Sequence, residues 1–192
     1  MSIPPFAGIP GAWYDPAMKP IAHTPISFLL KLLAFWILFL FFHFLHDWVP
    51  VPLTVIFAGN SEGAVQHMKM AFWAFTFASL GEYFIRKAQK GQRQAFFDSR
   101  LLITDLAPWT MFFWYILPVT FGKPFASEAV EILAANVVLL LAGVALLFLE
   151  RDLSGAKFSR TSRIILIIFW ALTAFLMAAV SFNTPWAGFF VA

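Results

Sequence analysis

The sequence predicts an all-α polytopic membrane protein: one bundle of about five transmembrane helices, with a cytoplasmic amino terminus and the carboxyl terminus outside. Composition supports the class, because 61% of the 192 residues are hydrophobic, 12% are charged and the mean hydropathy is +0.80. These values lie far from those of soluble domains. The apolar residues also fall into stretches close to the roughly 20 residues that a spanning helix needs.

The first two predicted helices are delimited by prolines and by basic residues. The first covers about 26–48 and ends before Pro50 and Pro52, since proline cannot continue a helix. The second covers about 61–85 and ends before the basic residue Arg86. Before the first helix, residues 1–25 are rich in proline and glycine and contain no cleavage site of small residues. They predict an irregular cytoplasmic or interfacial arm, not a removed signal peptide.

The third predicted helix, about 99–121, contains Pro108 and Pro118, so a kink is expected in its backbone. The other two helices have clearer ends. The fourth covers about 128–149, with Ser127 as its N-cap and acidic residues in its first turns. The fifth covers about 162–182 and ends before an asparagine and a proline. Residues 26–192 therefore form the five-span membrane domain of the prediction.

Basic residues predict the orientation. In the five-span topology two of them, Lys69 and Lys123, fall on one side of the membrane. Eleven fall on the other: Lys19, Lys31, Arg86, Lys87, Lys90, Arg93, Arg100, Arg151, Lys157, Arg160 and Arg163. Because cytoplasmic loops are enriched in lysine and arginine, the larger set marks the cytoplasm. The predicted location is the cytoplasmic membrane of a prokaryote.

This topology brings several polar residues to the outer face. His43 shares a helix face with His46 and Asp47, which follow it by three and four residues. His67 enters the membrane on the second helix at a similar depth. Ionisable groups within a membrane are costly, which favours a functional site. Glu62 is the candidate catalytic base, and the pocket rim contains Asn60 and Asn183.

Three functional hypotheses follow, from different classes of protein. In the first, His43, His46, Asp47 and His67 bind a divalent metal, Zn, Mn or Fe, and Glu62 acts as base in hydrolysis or transfer on a lipid-like substrate. In the second, histidines of two helices hold a haem or a pigment in a non-catalytic subunit. In the third, the polar cluster only fixes helix packing in a structural or assembly factor that contacts other membrane subunits.

A second polar set lies toward the cytoplasmic ends of the helices and comprises Glu82, Arg86 and Asp105. The spacing of four residues predicts an ion pair between Glu82 and Arg86. The candidate partners of Asp105 are Arg100 and the backbone group that Pro108 leaves without its helical hydrogen bond. Structural roles are expected here. A polar path across the membrane would serve transport, but the residues between the two sets are mostly apolar, which ranks transport low.

Other classes of function are excluded or disfavoured. The absence of cysteine removes disulfides, thiolate nucleophiles and iron–sulfur clusters. No phosphate loop, nucleophile elbow or paired zinc-protease histidine motif is present. The basic residues mark topology, and no nucleic-acid partner is expected. The predicted partners are the lipid bilayer, a lipid-like ligand or other membrane subunits, and the sequence does not name a substrate.

Short motifs along the chain resemble an uncharacterised family of small prokaryotic five-helix membrane proteins. The motifs are His43-Phe-Leu-His-Asp-Trp48, Ser61-Glu62 with His67-Met-Lys69, Glu82-Tyr83-Phe84 and Phe182-Asn183-Thr-Pro185. Three positions depart from the family pattern: Ser61 stands for Asn, Gly63 for Ser and Gln66 for an acid. The resemblance covers nearly the whole chain and implies about five helices. It implicates the outward-facing polar set without naming a reaction.

Overall fold

A computed structural model of the chain describes residues 24–59, 63–86, 93–121 and 127–182, and for residues 86 and 113–121 it describes the backbone alone. Within these ranges the protein is all helical and has no β-strand. Five long helices and one short helix follow each other: α1 Pro25–Trp48, α2 Pro52–Val55, α3 Ala64–Arg86, α4 Arg93–Phe121, α5 Glu128–Leu153 and α6 Arg160–Phe182. The all-α prediction is confirmed.

Three helices, α1, α5 and α6, are long and apolar enough to cross a membrane. This finding supports a membrane protein, as the composition predicts. The helices α3 and α4 are as long but less apolar, because they contain several of the charged residues of the chain. Several of those charges, such as Lys69, Asp98 and Arg100, are buried against other helices, so α3 and α4 do not need an apolar surface all round.

Helix boundaries differ from the sequence prediction by more than three residues at two places. α4 begins at Arg93, six residues before the predicted start, and α5 continues to Leu153. Both extensions are polar in sequence, and residues such as Asp98 and Glu150 are buried there by ion pairing. α4 is also helical through both Pro108 and the second proline at position 118.

Local sequence determines how α1 begins and ends. The Thr24 hydroxyl accepts a hydrogen bond from the Ser27 amide at 3.2 Å, and Pro25 occupies the first turn, where no amide donor is needed. At the other end, the Val49 amide donates to the Leu45 carbonyl before the prolines begin. The chain then turns through α2 towards α3.

Successive long helices run in alternating directions. Lys31 near the start of α1 contacts Glu82 near the end of α3 and Glu150 near the end of α5. Arg100 near the start of α4 meets the same two carboxylates. Since Arg163 at the start of α6 bonds Asp98 of α4, the starts of α1, α4 and α6 lie at one end of the bundle. We call this end the quartet end and the opposite end the histidine end.

The apolar core surrounds α3, which packs against α1, α4 and α6. Small residues on α3, such as Ala71 and Ala74, are fully buried and allow close approach of its neighbours. Phe35 of α1 and Phe75 of α3 meet at 5.6 Å between ring centroids. α6 differs from the other long helices, because most of its apolar residues are exposed and none of them is fully buried.

Candidate functional site

A cavity of about 520 Å³ lies between α1, α3, α4 and α5 towards the histidine end. Its described lining combines apolar and aromatic side chains with a few polar groups. The lining residues are Phe39, Leu40, His43, Phe44, His67, Met111, Glu128, Glu131, Ile132, Ala135, Asn136, Val138 and Leu139. Concave, mostly apolar sites with a few convergent polar groups are typical of small-molecule binding.

His43 of α1 and His67 of α3 meet in this cavity, and the predicted topology places them at similar depth. Their ring centroids are 5.4 Å apart, and the planes are inclined by 43°. The Nδ1 atom of His67 lies 3.1 Å from the Gly63 carbonyl oxygen. A carbonyl can only accept, so this bond places the proton on Nδ1 and leaves Nε2 of the neutral ring with its lone pair.

His46 and Asp47 do not join this pair. The Nδ1 atom of His46 lies 3.2 Å from the Thr54 hydroxyl oxygen, in the turn that carries α2. The single proton of that hydroxyl points to the carbonyl oxygens of Val49 and Val51, at 2.7 Å and 2.8 Å, so His46 Nδ1 donates to the hydroxyl oxygen. The side chain of Asp47 is exposed at the end of α1. Shared helix spacing is therefore insufficient to bring all three predicted α1 ligands to the cavity.

Glu128 and Glu131 line the cavity, although the sequence interpretation used them only as partners of the α5 dipole. Both side chains are exposed, and they stand three residues apart on one face of the first α5 turns. The five-span topology could have identified these two residues as part of the site. It places the start of α5 at the same end of the bundle as His43 and His67.

Apolar packing closes the cavity towards the middle of the bundle. At its floor, the Trp36 indole donates to the Asn136 side-chain oxygen at 2.9 Å, and the Asn136 amide donates to the Ile132 carbonyl. Along α1 and α3, the buried residues Phe35 and Phe75 come between the two histidines of the cavity and the charged residues at the quartet end.

Four charged residues from four helices form a buried cluster at the quartet end, which we call the quartet: Lys31, Glu82, Arg100 and Glu150. The Lys31 ammonium lies 2.7 Å from Glu82 Oε2 and 2.6 Å from Glu150 Oε2. Arg100 Nη2 lies 2.9 Å from Glu82 Oε1 and 3.2 Å from Glu150 Oε1. No side chain of the quartet is more than 8% exposed.

The quartet changes the interpretation of its members. Glu82 pairs with residues of α1 and α4, whereas the sequence predicted a partner within α3 at Arg86, whose side chain lies outside the described part of the chain. Lys31 and Arg100 are buried ion-pair partners, although the charge count treated them as surface markers of topology. The signal that was missed is a lone lysine inside the apolar α1 stretch.

Aromatic rings complete the surroundings of the two cations. The Arg100 guanidinium lies 4.0 Å from the centroid of Phe96, and the Lys31 ammonium lies 5.0 Å from that of Phe75. Arg100 also donates to the Ser99 hydroxyl at 2.9 Å. The charges balance at two against two and each cation donates to a carboxylate of the quartet, which favours tolerance of the buried ions.

Asp105 does not pair with Arg100, the candidate partner from the sequence. The Arg100 guanidinium faces the quartet, and Asp105 is 2% exposed beside Thr173 of α6. A different pair joins α4 to α6. Asp98 accepts from the Arg163 guanidinium at 2.8 Å and 3.1 Å.

The predicted topology places Lys69 at the outer side of the membrane, but the structure buries its side chain completely. Its ammonium donates to the Val55 carbonyl oxygen at 2.7 Å and to the Ser181 hydroxyl at 3.0 Å. It therefore satisfies the last carbonyl of α2 and fastens α2 and α6 to α3. A long side chain with three donors suits this structural role.

Several predicted residues fall outside the described part of the chain: most of the arm 1–25, together with Asn60, Glu62 and Asn183. Within the described ranges, no group of three or more histidine or acidic side chains is arranged to hold a metal ion. The pair His43 and His67 is thus the part of the predicted site that the structure assembles. The metal, haem and catalytic hypotheses stay predictions.

Together, the fold and the cavity define an all-helical bundle with helices of membrane-spanning length and a polar-ended cavity. No protein-family model matches the chain, and no curated protein or solved structure matches it significantly. The resemblance to a five-helix membrane family therefore stays a prediction.

Proposed function

We propose that this chain is a five-span protein of a prokaryotic cytoplasmic membrane that binds a lipid-like molecule in the cavity at the histidine end. The observation that carries the proposal is the cavity of about 520 Å³, where His43 and His67 meet beside aliphatic and aromatic side chains. Such a lining suits a molecule with an apolar body and a polar end. A ligand of this kind would reach the cavity from the bilayer.

The alternating direction of the five long helices supports the five spans. The distribution of lysine and arginine supports the orientation even when the buried basic residues are left out of the count. Without Lys31 and Arg100 the larger set falls from eleven to nine, and without Lys69 the smaller falls from two to one. The cavity would then open at the outer face of the membrane.

Filling the cavity tests the proposal. Ala135 lines it, so Ala135→Phe would occupy part of the volume, whereas Leu133→Phe changes an exposed residue two positions earlier on the same helix. Lipids retained by the purified protein can be counted by native mass spectrometry in an uncharged detergent. We expect the Ala135→Phe protein to lose a retained molecule that the wild type and the Leu133→Phe protein keep.

Equal retention by all three proteins, or no retained molecule in the wild type, would contradict the proposal. A melting curve and a gel-filtration profile show whether the Ala135→Phe protein is folded. If folding fails, Ala135→Leu adds less volume and serves as the second variant. A loss of assembly without any loss of ligand would favour the structural hypothesis.

A divalent metal held by His43 and His67 is a second candidate, favoured by the distance between the rings. Two imidazole nitrogens about 2.0–2.1 Å from one ion at a near-tetrahedral angle place the ring centroids about 5 Å apart. The observed distance is 5.4 Å. Coaxial ligation of a haem iron would need about 6 Å, so the metal is favoured over haem. The Nδ1 bond of His67 to a carbonyl is the usual orienting partner of a ligating ring.

Elemental analysis of the purified protein tests this candidate. Glu62, five residues before His67 and outside the described ranges, is the acidic residue that could add a ligand or act as base. We expect His43→Ala and His67→Ala to lose a bound metal that His46→Ala retains, because His46 faces Thr54. A metal-free wild-type protein after purification without chelators, and after incubation with Zn or Mn, would refute the candidate.

A further inference from the structure

The described lining of the cavity has a one-sided charge. Glu128 and Glu131 are its carboxylates, His43 and His67 are its imidazoles, and no lysine or arginine is among the lining residues that the structure describes. With neutral imidazoles the lining carries two negative charges. A cationic group is therefore the natural complement.

The start of α5 reduces this negative charge without cancelling it. A helix amino terminus is equivalent to about half a positive charge, which the first-turn carboxylates Glu128 and Glu131 exceed together. The Ser127 hydroxyl accepts a hydrogen bond from the Val130 amide, so one of the amide groups at the helix start already has a partner. An anionic ligand would meet two carboxylates at this end of the cavity.

Polarity changes along the cavity wall. Glu128 and Leu139 both line it, and they are eleven positions apart on α5, which is about 16 Å along the helix axis. The carboxylates stand at the helix start, and apolar residues such as Ile132 and Leu139 follow. An elongated ligand would place its polar end beside the carboxylates and its apolar body deeper in the bundle.

Aromatic rings add a second attraction for a cation. Phe44 packs against His43 at 4.9 Å between centroids, and Phe39 lies 6.2 Å from His67. Both rings line the cavity. The faces of aromatic rings attract ammonium groups, and quaternary ammonium ligands are commonly bound in this way.

From these observations we infer that the cavity binds an amphiphile with an ammonium head, whose charge lies beside Glu128 and Glu131. The inference rests on the proposed lipid-like ligand and specifies its headgroup. The ammonium can belong to a membrane lipid or to a free amphiphilic amine. Both sources share the chemistry that the cavity recognises.

Three probes with the same short tail test the charge of the head: hexyltrimethylammonium, its uncharged carbon isostere and hexyl sulfate. Binding is measured by isothermal titration calorimetry on the full chain in an uncharged detergent. We expect the ammonium probe to bind most tightly and hexyl sulfate most weakly. Replacing the exposed carboxylates should weaken ammonium binding by about threefold for Glu128→Gln or Glu131→Gln and about tenfold for the double variant.

Asp152→Asn is the matched control, because Asp152 is an exposed acid at the quartet end, next to Arg151. It should leave the affinity unchanged. If the neutral and ammonium probes bind equally, and the double variant behaves like wild type, the headgroup inference is wrong while the lipid-like ligand stands. If no probe binds and Ala135→Phe changes nothing, the proposed function itself is refuted.

The source of the ammonium is decided by a competition on the same protein. Nanodiscs with and without phosphatidylethanolamine are compared for binding of hexyltrimethylammonium. Displacement of the probe by the aminolipid identifies a lipid headgroup. Undiminished binding identifies a free amine, and in both cases the preference for an ammonium over a sulfate head supports the inference.

Discussion

The quartet and the described lining of the cavity each have four ionisable side chains, in opposite arrangements. At the quartet end, Lys31 and Arg100 are matched by Glu82 and Glu150 within 3.2 Å, and no room is left between them. At the histidine end, two imidazoles and two carboxylates surround a cavity. Paired charges that fill their space stabilise helix packing, whereas polar groups around an open volume suit a ligand.

The largest expected effect comes from breaking the quartet at Glu150. Glu150→Leu would leave Lys31 and Arg100 with one carboxylate between them in a buried place. Removing one partner of a buried ion pair costs about 3–5 kcal/mol. Unfolding of the purified protein by a denaturing detergent, followed by circular dichroism, measures the loss. The exposed neighbour Asp152→Asn should change stability by less than about 0.5 kcal/mol. Equal unfolding curves would show that the quartet does not stabilise the bundle.

A double variant shows whether the quartet acts as a unit. Lys31→Met combined with Glu150→Leu removes one cation and one anion and leaves the Arg100 pair with Glu82. We expect the double variant to be more stable than the sum of the single effects predicts, by about 1–3 kcal/mol, because neither charge is left alone. Additive losses in the same unfolding assay would show that the pairs are independent.

Packing can be compared at two glycines, Gly143 of α5 and Gly81 of α3. A Cβ at Gly143 would lie 2.8 Å from Leu32 Cδ1 and 3.1 Å from Phe35 Cδ1, whereas at Gly81 it would have no neighbour within 4 Å. Gly143→Ala should destabilise the protein by about 1–2 kcal/mol. Gly81→Ala should stabilise it by about 0.5–1 kcal/mol. The same effect in both would contradict the close approach of α1 and α5.

The smallest effect on stability is expected at the histidine end. His43→Ala removes a ring from the wall of a cavity, so little packing is lost, and we expect a change of about 1 kcal/mol or less. Retained ligand or metal, measured as described above, should fall in the same protein. A loss of stability as large as that of Glu150→Leu would mean that both ends are structural.

The sequence predicted the helices better than the partners of the charges. Apolar length and prolines place α1 and α6 within two residues, because these features act locally. The meeting of His43 and His67 followed from topology and depth. In contrast, the partners of Lys31 lie 51 and 119 residues away, and no local pattern specifies which distant carboxylates a lysine meets.

The same limit explains the early start of α4. A residue such as Asp98, just before the predicted start, indicates a loop when its partner is unknown. Its partner is Arg163 of α6, and this ion pair lets Asp98 be buried within a helix. Glu128 and Glu131 were assigned to the helix dipole for a similar reason. The helix dipole alone accounts for acidic residues in a first turn. That these two residues line the cavity depends on the arrangement of four helices.

The quartet also has a consequence for biosynthesis. Lys31 leaves the ribosome 119 residues before Glu150, which at about 5–20 residues per second is roughly ten seconds. During that interval the newly made α1 carries a charge whose second partner does not yet exist. The ammonium would reach towards the membrane surface until α5 arrives. Completion of the quartet would then join α1, α3, α4 and α5 before α6 is made.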